Sequence, residues 1–528
     1  MQDITQTADV LIVGAGPSGL MMACQLTLWG ISYRIIDKKE LGTSCSGALI
    51  LQARSLEILE QLGIADSAIK EGIIAEKIRA SFNCNMPISL NVKNIGVGLT
   101  KFPYLLMLEQ SKTEKLLENY ISTFGIFVER KTELVSFSQD LGFVTSVIKL
   151  PNGIQETLKT KYLIGADGGR SFVREQLNIP FLGKTHELAL FVLDAKAEVD
   201  LLANEIYFSF TRNASTGMFP LKDGRWRIDG TLPHNIKRNE DVTFQHVNKW
   251  FDDRTPLTIE LSEPDWFSVF HSHQRFAAAF RQNRCFLIGD AAHIFSPVGA
   301  QGMNSSIQDA YNLAWKLALV IKNEASESLL ETYHSERQAL AKKIVHSTDR
   351  AFHMVSSGSR IAKFFRLRCL PLLLKILFPI IEKNSLFGQF LFKRISEIGI
   401  SYHKHFSIKK FSNGRFSMRA PKPGDRLPFV KFRHNGLDTS THEHLEPTSF
   451  HLLVFTKRPD RSDYEVWAEK FEFLSLEVIP YSEETASLFK RFGIRKEGCY
   501  LIRPDMYIAY RSKWMDARVE KYLDNYLK

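Results

Sequence analysis

The chain has 528 residues, 44% of them hydrophobic, enough for two to four domains with cores of their own and too apolar for general disorder. Its 68 basic and 58 acidic residues give a net charge of +10, but the basic residues are spread out, with no arginine-rich arm or zinc-finger spacing, so nucleic acid is not an expected partner. The six cysteines stand singly, and the pairs His403/His405 and His442/His444 have no carboxylate or cysteine cluster beside them, so neither a dithiol nor a metal site is expected.

The opening "MQDITQTADV" lacks the basic start and apolar run of a secretory signal, and a reduced, cytoplasmic protein is expected. The glycosylation triplet Asn213-Ala214-Ser215 is discounted on the same ground. Next, "VLIVGAGPSGLMMACQLTLWGISYRIIDKKE" predicts strand, glycine turn, helix and strand, with Val10 to Val13 apolar throughout, as in a strand buried on both faces. Gly14, Gly16 and Gly19 have G-x-G-x-x-G spacing: the first for a tight turn, the second for backbone approach to a pyrophosphate, the third for packing of the helix on the strand. Asp37, followed by Lys38, ends the second strand eighteen positions after Gly19; an acid there accepts from both ribose hydroxyls and repels a 2′-phosphate. The motif suits the adenosine of FAD or NAD, not that of NADP.

A second apolar strand, in "KYLIGADGGRSFVREQL", ends at Asp167-Gly168 before a basic helix start. Between 186 and 279, stretches such as "EIYFSF" and "TGMFPLKDGRWRIDGTL" read as short strands with turn signals such as Asp223-Gly224, which predicts a sheet. A third strand-turn-helix unit follows in "CFLIGDAAHIFSPVGAQGMNSS", with Gly289-Asp290 at the strand end. Asp290 is placed to accept from ribityl hydroxyls, and donors around Gly302, Met303 and Asn304, at a helix N-terminus, to face the flavin edge that gains negative charge on reduction; this unit decides for FAD. His293 reads as a hydrogen-bonded structural histidine. From about 325 to 405 the chain is helical, and its most apolar run, "LPLLLKILFPII", is about twelve residues long and interrupted by Lys375, well below the ~20 that span a bilayer. Helices packed with their basic residues outward are expected, peripheral membrane contact being the alternative.

In this order, the glycine fingerprint, Asp167-Gly168 and Gly289-Asp290 resemble the group A flavoprotein monooxygenases, FAD-dependent aromatic hydroxylases of the p-hydroxybenzoate hydroxylase fold. Gln110 in "LEQSKTEKLL" matches an FAD-contacting residue of that family, and "SPVGAQGMNSSIQDAYNLAWKLA" is similar to its flavin loop. Beyond 420, "FHLLVFTKRP" and "LFKRFGIRKEGCYLIRPDMYIAYRS" are similar to the thioredoxin-like C-terminal domain of the phenol and polyketide hydroxylase branch, here with Cys499 as its only cysteine and so no redox dithiol. The resemblance implies an α/β architecture: a Rossmann-like FAD domain (1–75, 105–185 and 280–350) interleaved with a mixed β-sheet substrate domain (76–104 and 186–279), a helical segment (351–415) and the thioredoxin-like domain (420–528).

The resemblance also implies a reaction. NADPH or NADH, docking near Asp167-Gly168 with Arg170 and Arg174 as candidate pyrophosphate partners, reduces FAD; O2 then gives a flavin C4a-hydroperoxide that hydroxylates a phenolic or polycyclic aromatic ring. Phe219 and Pro297 are the pocket candidates, and no side-chain acid or base is named. The sequence departs from the family at Gly47, where an Arg is usual and Arg54 is either a stand-in or only a cap of the helix that follows, and at Ser296 and Ala300, which replace a Pro and a Gly of the flavin loop. Alternative readings are an epoxidase or hydroxylase of a lipophilic quinone-type compound, and a flavin-binding protein with weak uncoupled oxidase activity. A homodimer is a further expectation from relatives.

Overall fold

The computed structural model describes residues 5–6, 8–43, 47–212, 214–232, 242–251, 255, 257–297, 299–357, 359–403, 411–434, 436–457, 470–514 and 518–526. Three strands that are far apart in the chain lie side by side in it. Val10–Val13, Tyr162–Gly165 and Cys285–Leu287 are adjacent and parallel, Leu163 standing opposite Leu11 on one side and Cys285 on the other. Tyr33–Asp37 and Glu129–Arg130 extend this six-stranded sheet at one side, and the antiparallel Arg281–Gln282 closes it at the other. All three central strands are buried, so each reads as an unbroken apolar run instead of an alternating one. Because they run the same way, the turns after Val13, Gly165 and Leu287 leave from one edge of the sheet, where open α/β folds bind their ligands.

The second sheet has eight strands in the order His293–Ile294, Ile259–Ala277, Phe181–Val199, Arg225–Thr231, Ser215–Pro220, Glu205–Phe210, Lys77–Phe82 and Ile88–Asn91. Its two 19-residue strands pair antiparallel from Phe181 opposite Ala277 to Val199 opposite Ile259. The second of them continues onto the segment that leaves the first sheet after Leu287, where Ala277 N–H donates to Ala292 O at 2.7 Å. Phe191, Met218, Trp226 and Ile228 fill a core on one face of this sheet, together with Val247 of the helix Phe244–Phe251. The other face overhangs the edge where the three motif turns emerge. A small sheet of Thr5–Gln6, Glu133–Gln139, Val144–Lys149 and Gln155–Thr160 flanks the first and had no counterpart in the sequence reading.

The C-terminal residues form a five-stranded sheet with the thioredoxin-like arrangement: Phe450–Thr456 is parallel to Leu474–Pro480 and antiparallel to Gly498–Ile502, which pairs antiparallel with Ile508–Ser512. Buried charge docks this sheet onto the rest of the molecule. Arg503 binds both carboxylate oxygens of Glu336 (2.6 and 3.0 Å) and also Asp505, while Lys316 reaches Glu336 at 3.0 Å. Burial opposes ionisation of Glu336, but Arg503 and Lys316 outweigh it and hold the carboxyl well below the usual carboxylate range. Arg54 belongs to this same interface, which corrects its expected role beside the flavin. It is fully buried, with its guanidinium 5.4 Å from the ring centres of both Tyr311 and Tyr507, and it donates to Glu57 (3.0 Å) and to Asp505 O (2.8 Å).

The helices Arg360–Phe364, Leu370–Lys383 and Ser385–Ile395 depart from the expected apolar-in, basic-out pattern. They bury Phe378 and Ile381 inward but leave large apolar side chains exposed on the outside. Among the described residues, no helix is long and apolar enough to cross a membrane.

The docking cluster makes two predictions. Arg503→Met strands Glu336 and Asp505 without their counter-charge and is expected to cost about 3–5 kcal/mol, read as a lower thermal midpoint and faster hydrogen exchange in the C-terminal sheet. Since the folded-state pKa of Glu336 lies below its ordinary value of 4.5, its contribution is present above that pH and is lost as pH falls through the acid range, so acid should loosen this interface in the native protein and less in the variant.

Candidate active site

Between the two sheets lies a cavity of about 610 Å3. Following the strand order, Asp37, Gly14 and Gly16 line one end, Asp167, Gly168 and Asp290 the middle, and Pro297, Gly302, Met303 and the overhanging strands the other. Lys38 and Gln110 also line it. The glycine turn is enforced by close approach: at Gly14, which has φ +103°, a Cβ would lie 2.4 Å from Ala166 O, and at Gly19 one would lie 1.9 Å from Gly14 O. Gly16 differs, since a Cβ there meets nothing within 4 Å and the backbone faces open cavity. Gly19 therefore stands behind the wall, holding the helix Pro17–Leu28 against the turn.

Asp37 shapes this end as well as facing it. Its Oδ2 accepts from Ala15 N–H and its Oδ1 from Lys39 N–H, both at 2.8 Å, and a carboxylate has about four acceptor positions, so one remains on each oxygen for a diol. Gln110 bridges the neighbouring loop, accepting from Ala48 N–H at 3.4 Å and donating to Glu114 at 2.8 Å. Gly47 lines the cavity beside it, with open space around its Cα.

The middle of the cavity holds two carboxyls in different situations. Asp167 caps the short helix Phe172–Gln176, accepting from Ser171 Oγ and from Val173 N–H (3.1 Å), although burial still raises its pKa. Arg174 is not free to meet a nicotinamide pyrophosphate: it lies over the Phe181 ring and donates to Ala291 O (3.0 Å) and Gly169 O (2.9 Å), tying the second motif to the third. Arg170 remains at the cavity wall. Asp290 receives no hydrogen bond from the described residues and is exposed at the cavity wall, where the surrounding protein still raises its carboxyl pKa. An acceptor that faces the cavity with no partner among the described residues fits a ligand rich in hydroxyls.

The loop 295–301 leads into the helix Gly302–Ile321, whose first N–H groups have no partner within the helix. Gly302 and Met303 meet the cavity, but the Asn304 side chain does not: it accepts from Gln52 N–H (2.8 Å) and Ser55 Oγ (2.7 Å) and donates to Ile50 O and Ala300 O (2.8 Å each). Asn304 clamps the loop, and only its backbone N–H is available at the helix end. His293 is likewise structural, with Nε2 2.6 Å from Asp309 Oδ2, while Arg337 and Gly289 N–H bind the same carboxylate. Pro297 lines the cavity, and its carbonyl accepts from Ala300 N–H at 3.1 Å.

The roof supplies what the sequence reading did not name. In "RWRIDGT" the residues alternate: Trp226 and Ile228 enter the core, while Arg227 and Asp229 face the cavity with Phe219 of the adjoining strand. Arg227 is held rigidly, donating to both oxygens of Asp194 (2.8 and 2.6 Å) and to Ala48 O (3.2 Å). Gly217, opposite Asp229, leaves room for its carboxyl, where a Cβ would lie 2.5 Å from Oδ1. Burial raises the Asp229 pKa to about 6, against the opposing effects of Arg227 and the Gly217 N–H. The period-two pattern was the available signal. Among the described residues no cluster of His, Cys, Asp and Glu is arranged for a metal ion; His405 and Asn213 lie outside those residues.

Ala300 has φ +52°, in the left-handed region that costs a residue with a Cβ about 1–2 kcal/mol. Ala300→Gly removes that strain against a smaller entropic cost and is expected to raise stability by about 0.5–1 kcal/mol in thermal unfolding of the FAD-free protein.

Comparison with known proteins agrees with this geometry. Residues 7–348 match the FAD binding domain family, and residues 420–528 match the aromatic-ring hydroxylase C-terminal family. The 6-methylpretetramide 4-monooxygenase of Streptomyces rimosus is 29% identical over 96% of this chain and 91% of its own length. The pentachlorophenol 4-monooxygenase of Sphingobium chlorophenolicum is 30% identical over 80% of this chain and 76% of its own. Among solved structures, the flavin-dependent monooxygenase PieE, in complex with FAD and substrate, superposes with a TM-score of 0.81 over 99% of this chain and 100% of its own, at 22% identity, a likeness of fold. With three motif turns opening on one cavity and both domain families matched in order, the chain belongs to the FAD-dependent aromatic hydroxylases and is a monooxygenase with FAD as its cofactor.

Proposed function

We propose that the chain hydroxylates an aromatic ring bearing an ionisable hydroxyl, with O2 as oxidant and NADPH or NADH as reductant, in the space between the loop 295–301 and the roof strands. The observation that carries this reading is the roof itself: Phe219, Arg227 and Asp229 converge on the end of the cavity where the helix Gly302–Ile321 begins. FAD, when bound, supplies the electron transfer and oxygen activation that no side chain provides. Gly14, Gly16 and Asp37 would hold its ADP half, Asp290 its ribityl chain, and the N–H groups of Gly302 and Met303 the ring edge that becomes negative. Arg170 at the cavity wall is the remaining candidate partner for the nicotinamide nucleotide.

The side chains have defined work. Phe219, Phe295, Leu49 and Ile50 give the ring an apolar slot that excludes water. Asp229, with a pKa of about 6, is mostly ionised at neutral pH and is placed to take the hydroxyl proton of the substrate onto its carboxylate, while the fixed guanidinium of Arg227 favours the phenolate left behind. The described cysteines form no disulfide with one another, which supports a reducing compartment such as the cytoplasm.

The test is turnover by the FAD-loaded enzyme with a panel of simple phenols and polycyclic phenols, counting nicotinamide oxidised, product formed and hydrogen peroxide released. Ring-dependent acceleration with little peroxide supports the reading; slow oxidation that returns all electrons as peroxide whatever ring is added contradicts it and favours a flavin-binding protein. Asp229→Asn should lower kcat about 10²- to 10⁴-fold with FAD affinity unchanged. In the native enzyme kcat should rise with pH through about 6, as the carboxylate forms, and the variant should lack that limb. The same raised pKa makes the stability contribution of Asp229 largest below its ordinary value and lost as pH rises through about 6, so the variant should unfold no earlier than wild type at pH 8.

A further inference from the structure

A continuous departure from ordinary surface composition lies on the helices between 360 and 395. Leu370–Lys383 is apolar on two faces. Phe378 and Ile381 pack inward, with Leu374 and Leu377 partly buried beside them, into a cluster that also contains Phe219 and Leu49 of the cavity wall. Leu372, Leu373, Ile376 and Ile380 recur at helical spacing on the outside, where Ile376 is 63% exposed. The neighbouring helices continue this surface: Ile361 is 83% and Leu386 74% exposed, with Phe364, Phe387 and Phe390 also open to solvent.

The charge on this segment has one sign. Residues 360–395 hold eight Lys and Arg against the single acid Glu382. Of the basic residues only Arg366 is buried; Arg360, Arg368, Lys375, Lys383, Lys393 and Arg394 are exposed and form no ion pair with the described residues. Glu382 accepts from Asn91 N–H at 2.9 Å, which holds it toward the sheet. A monomer rarely leaves so many large apolar side chains in water, and an unbalanced basic rim selects a partner of opposite charge. The segment is too short and too charged to span a bilayer, while exposed apolar residues among Lys and Arg suit a helix lying in the headgroup region.

We propose that the outer face of the helices between 360 and 395 docks on an anionic lipid surface. The inner face of the same helix Leu370–Lys383 backs the apolar wall around Phe219, so the docked enzyme holds the substrate end of its cavity next to the lipid. It then takes a lipophilic aromatic compound dissolved in the membrane, a consequence that rests on the hydroxylase reading above.

The test uses the FAD-loaded enzyme without turnover, so docking and catalysis fail or succeed separately. Protein is mixed with vesicles of phosphatidylcholine alone or of equal parts phosphatidylcholine and phosphatidylglycerol, and co-sedimentation is followed by flavin absorbance. Wild type should sediment with the mixed vesicles, less at high salt, and weakly with phosphatidylcholine alone. The variant L372Q/I376Q/I380Q, altered only on exposed positions, should lower the partition coefficient more than about tenfold. K375Q/K383Q should lower it on the anionic vesicles by about fivefold per charge and leave weak binding to phosphatidylcholine unchanged. Wild type and L372Q/I376Q/I380Q sedimenting alike, or neither sedimenting, overturns the proposal. A dimer in sedimentation velocity that L372Q/I376Q/I380Q splits to monomers also overturns it, by giving the face to a second copy of the chain.

Discussion

The structure depends on the parallel pairing of Val10–Val13, Tyr162–Gly165 and Cys285–Leu287. Each strand alone ends in a turn with a few exposed backbone groups, joined in the second and third by one acid. Side by side and parallel, they aim those turns at one edge, so Gly14, Asp167 and Asp290 line a single cavity although more than 250 residues separate the first from the last. This pairing needs long crossovers, and the chain uses the one between the second and third strands to build most of the roof sheet, with Lys77–Phe82 and Ile88–Asn91 added from the crossover before it. The ligand cleft and its cover therefore come from the same topological requirement.

Loops at such an edge need fixing, and the molecule fixes them with buried polar groups. Asp309 holds Gly289 N–H, His293 and Arg337 at once, so the third turn is tied to two helices. Asn304 and Arg174 do the same for the loop 295–301 and the second turn. Arg54, Glu57, Glu336 and Arg503 extend the principle to the C-terminal sheet, which docks through charge as well as apolar packing. Removing one member of such a network leaves its partners buried and unpaired, so these residues are more sensitive to substitution than the apolar residues around them.

The parts of this arrangement legible in the sequence are those written locally. Glycine spacing at 14, 16 and 19, an acid at the end of the next strand, and apolar strands ending at Asp167-Gly168 and Gly289-Asp290 depend on a few adjacent residues, and resemblance then ordered them into one fold. Arg54 and Arg174 were misplaced because a guanidinium is long, and its partners, Asp505 O for one and Ala291 O for the other, lie hundreds or scores of residues away. Asp229 was overlooked although Arg227 and Asp229 alternate with Trp226 and Ile228: the alternation marks two faces, but which face meets a cavity is decided by the strand's neighbours. The outward apolar face of Leu370–Lys383 stood only as the alternative in the sequence, since a helix apolar on both sides looks like one buried on both sides.

The central claim, that one cavity built from three strand ends takes the two halves of FAD at opposite ends, is tested most directly by titrating the FAD-free protein with FAD and, separately, with ADP. Gly16→Val should weaken both ligands by at least about tenfold, because the added side chain fills the space open at the ADP end. Asp290→Ala should weaken FAD and leave ADP affinity unchanged, because Asp290 lines the middle of the cavity, beyond the end formed by Gly14, Gly16 and Asp37. Equal losses for both ligands in Asp290→Ala, or unchanged binding of both in Gly16→Val, would contradict the assignment of the two ends.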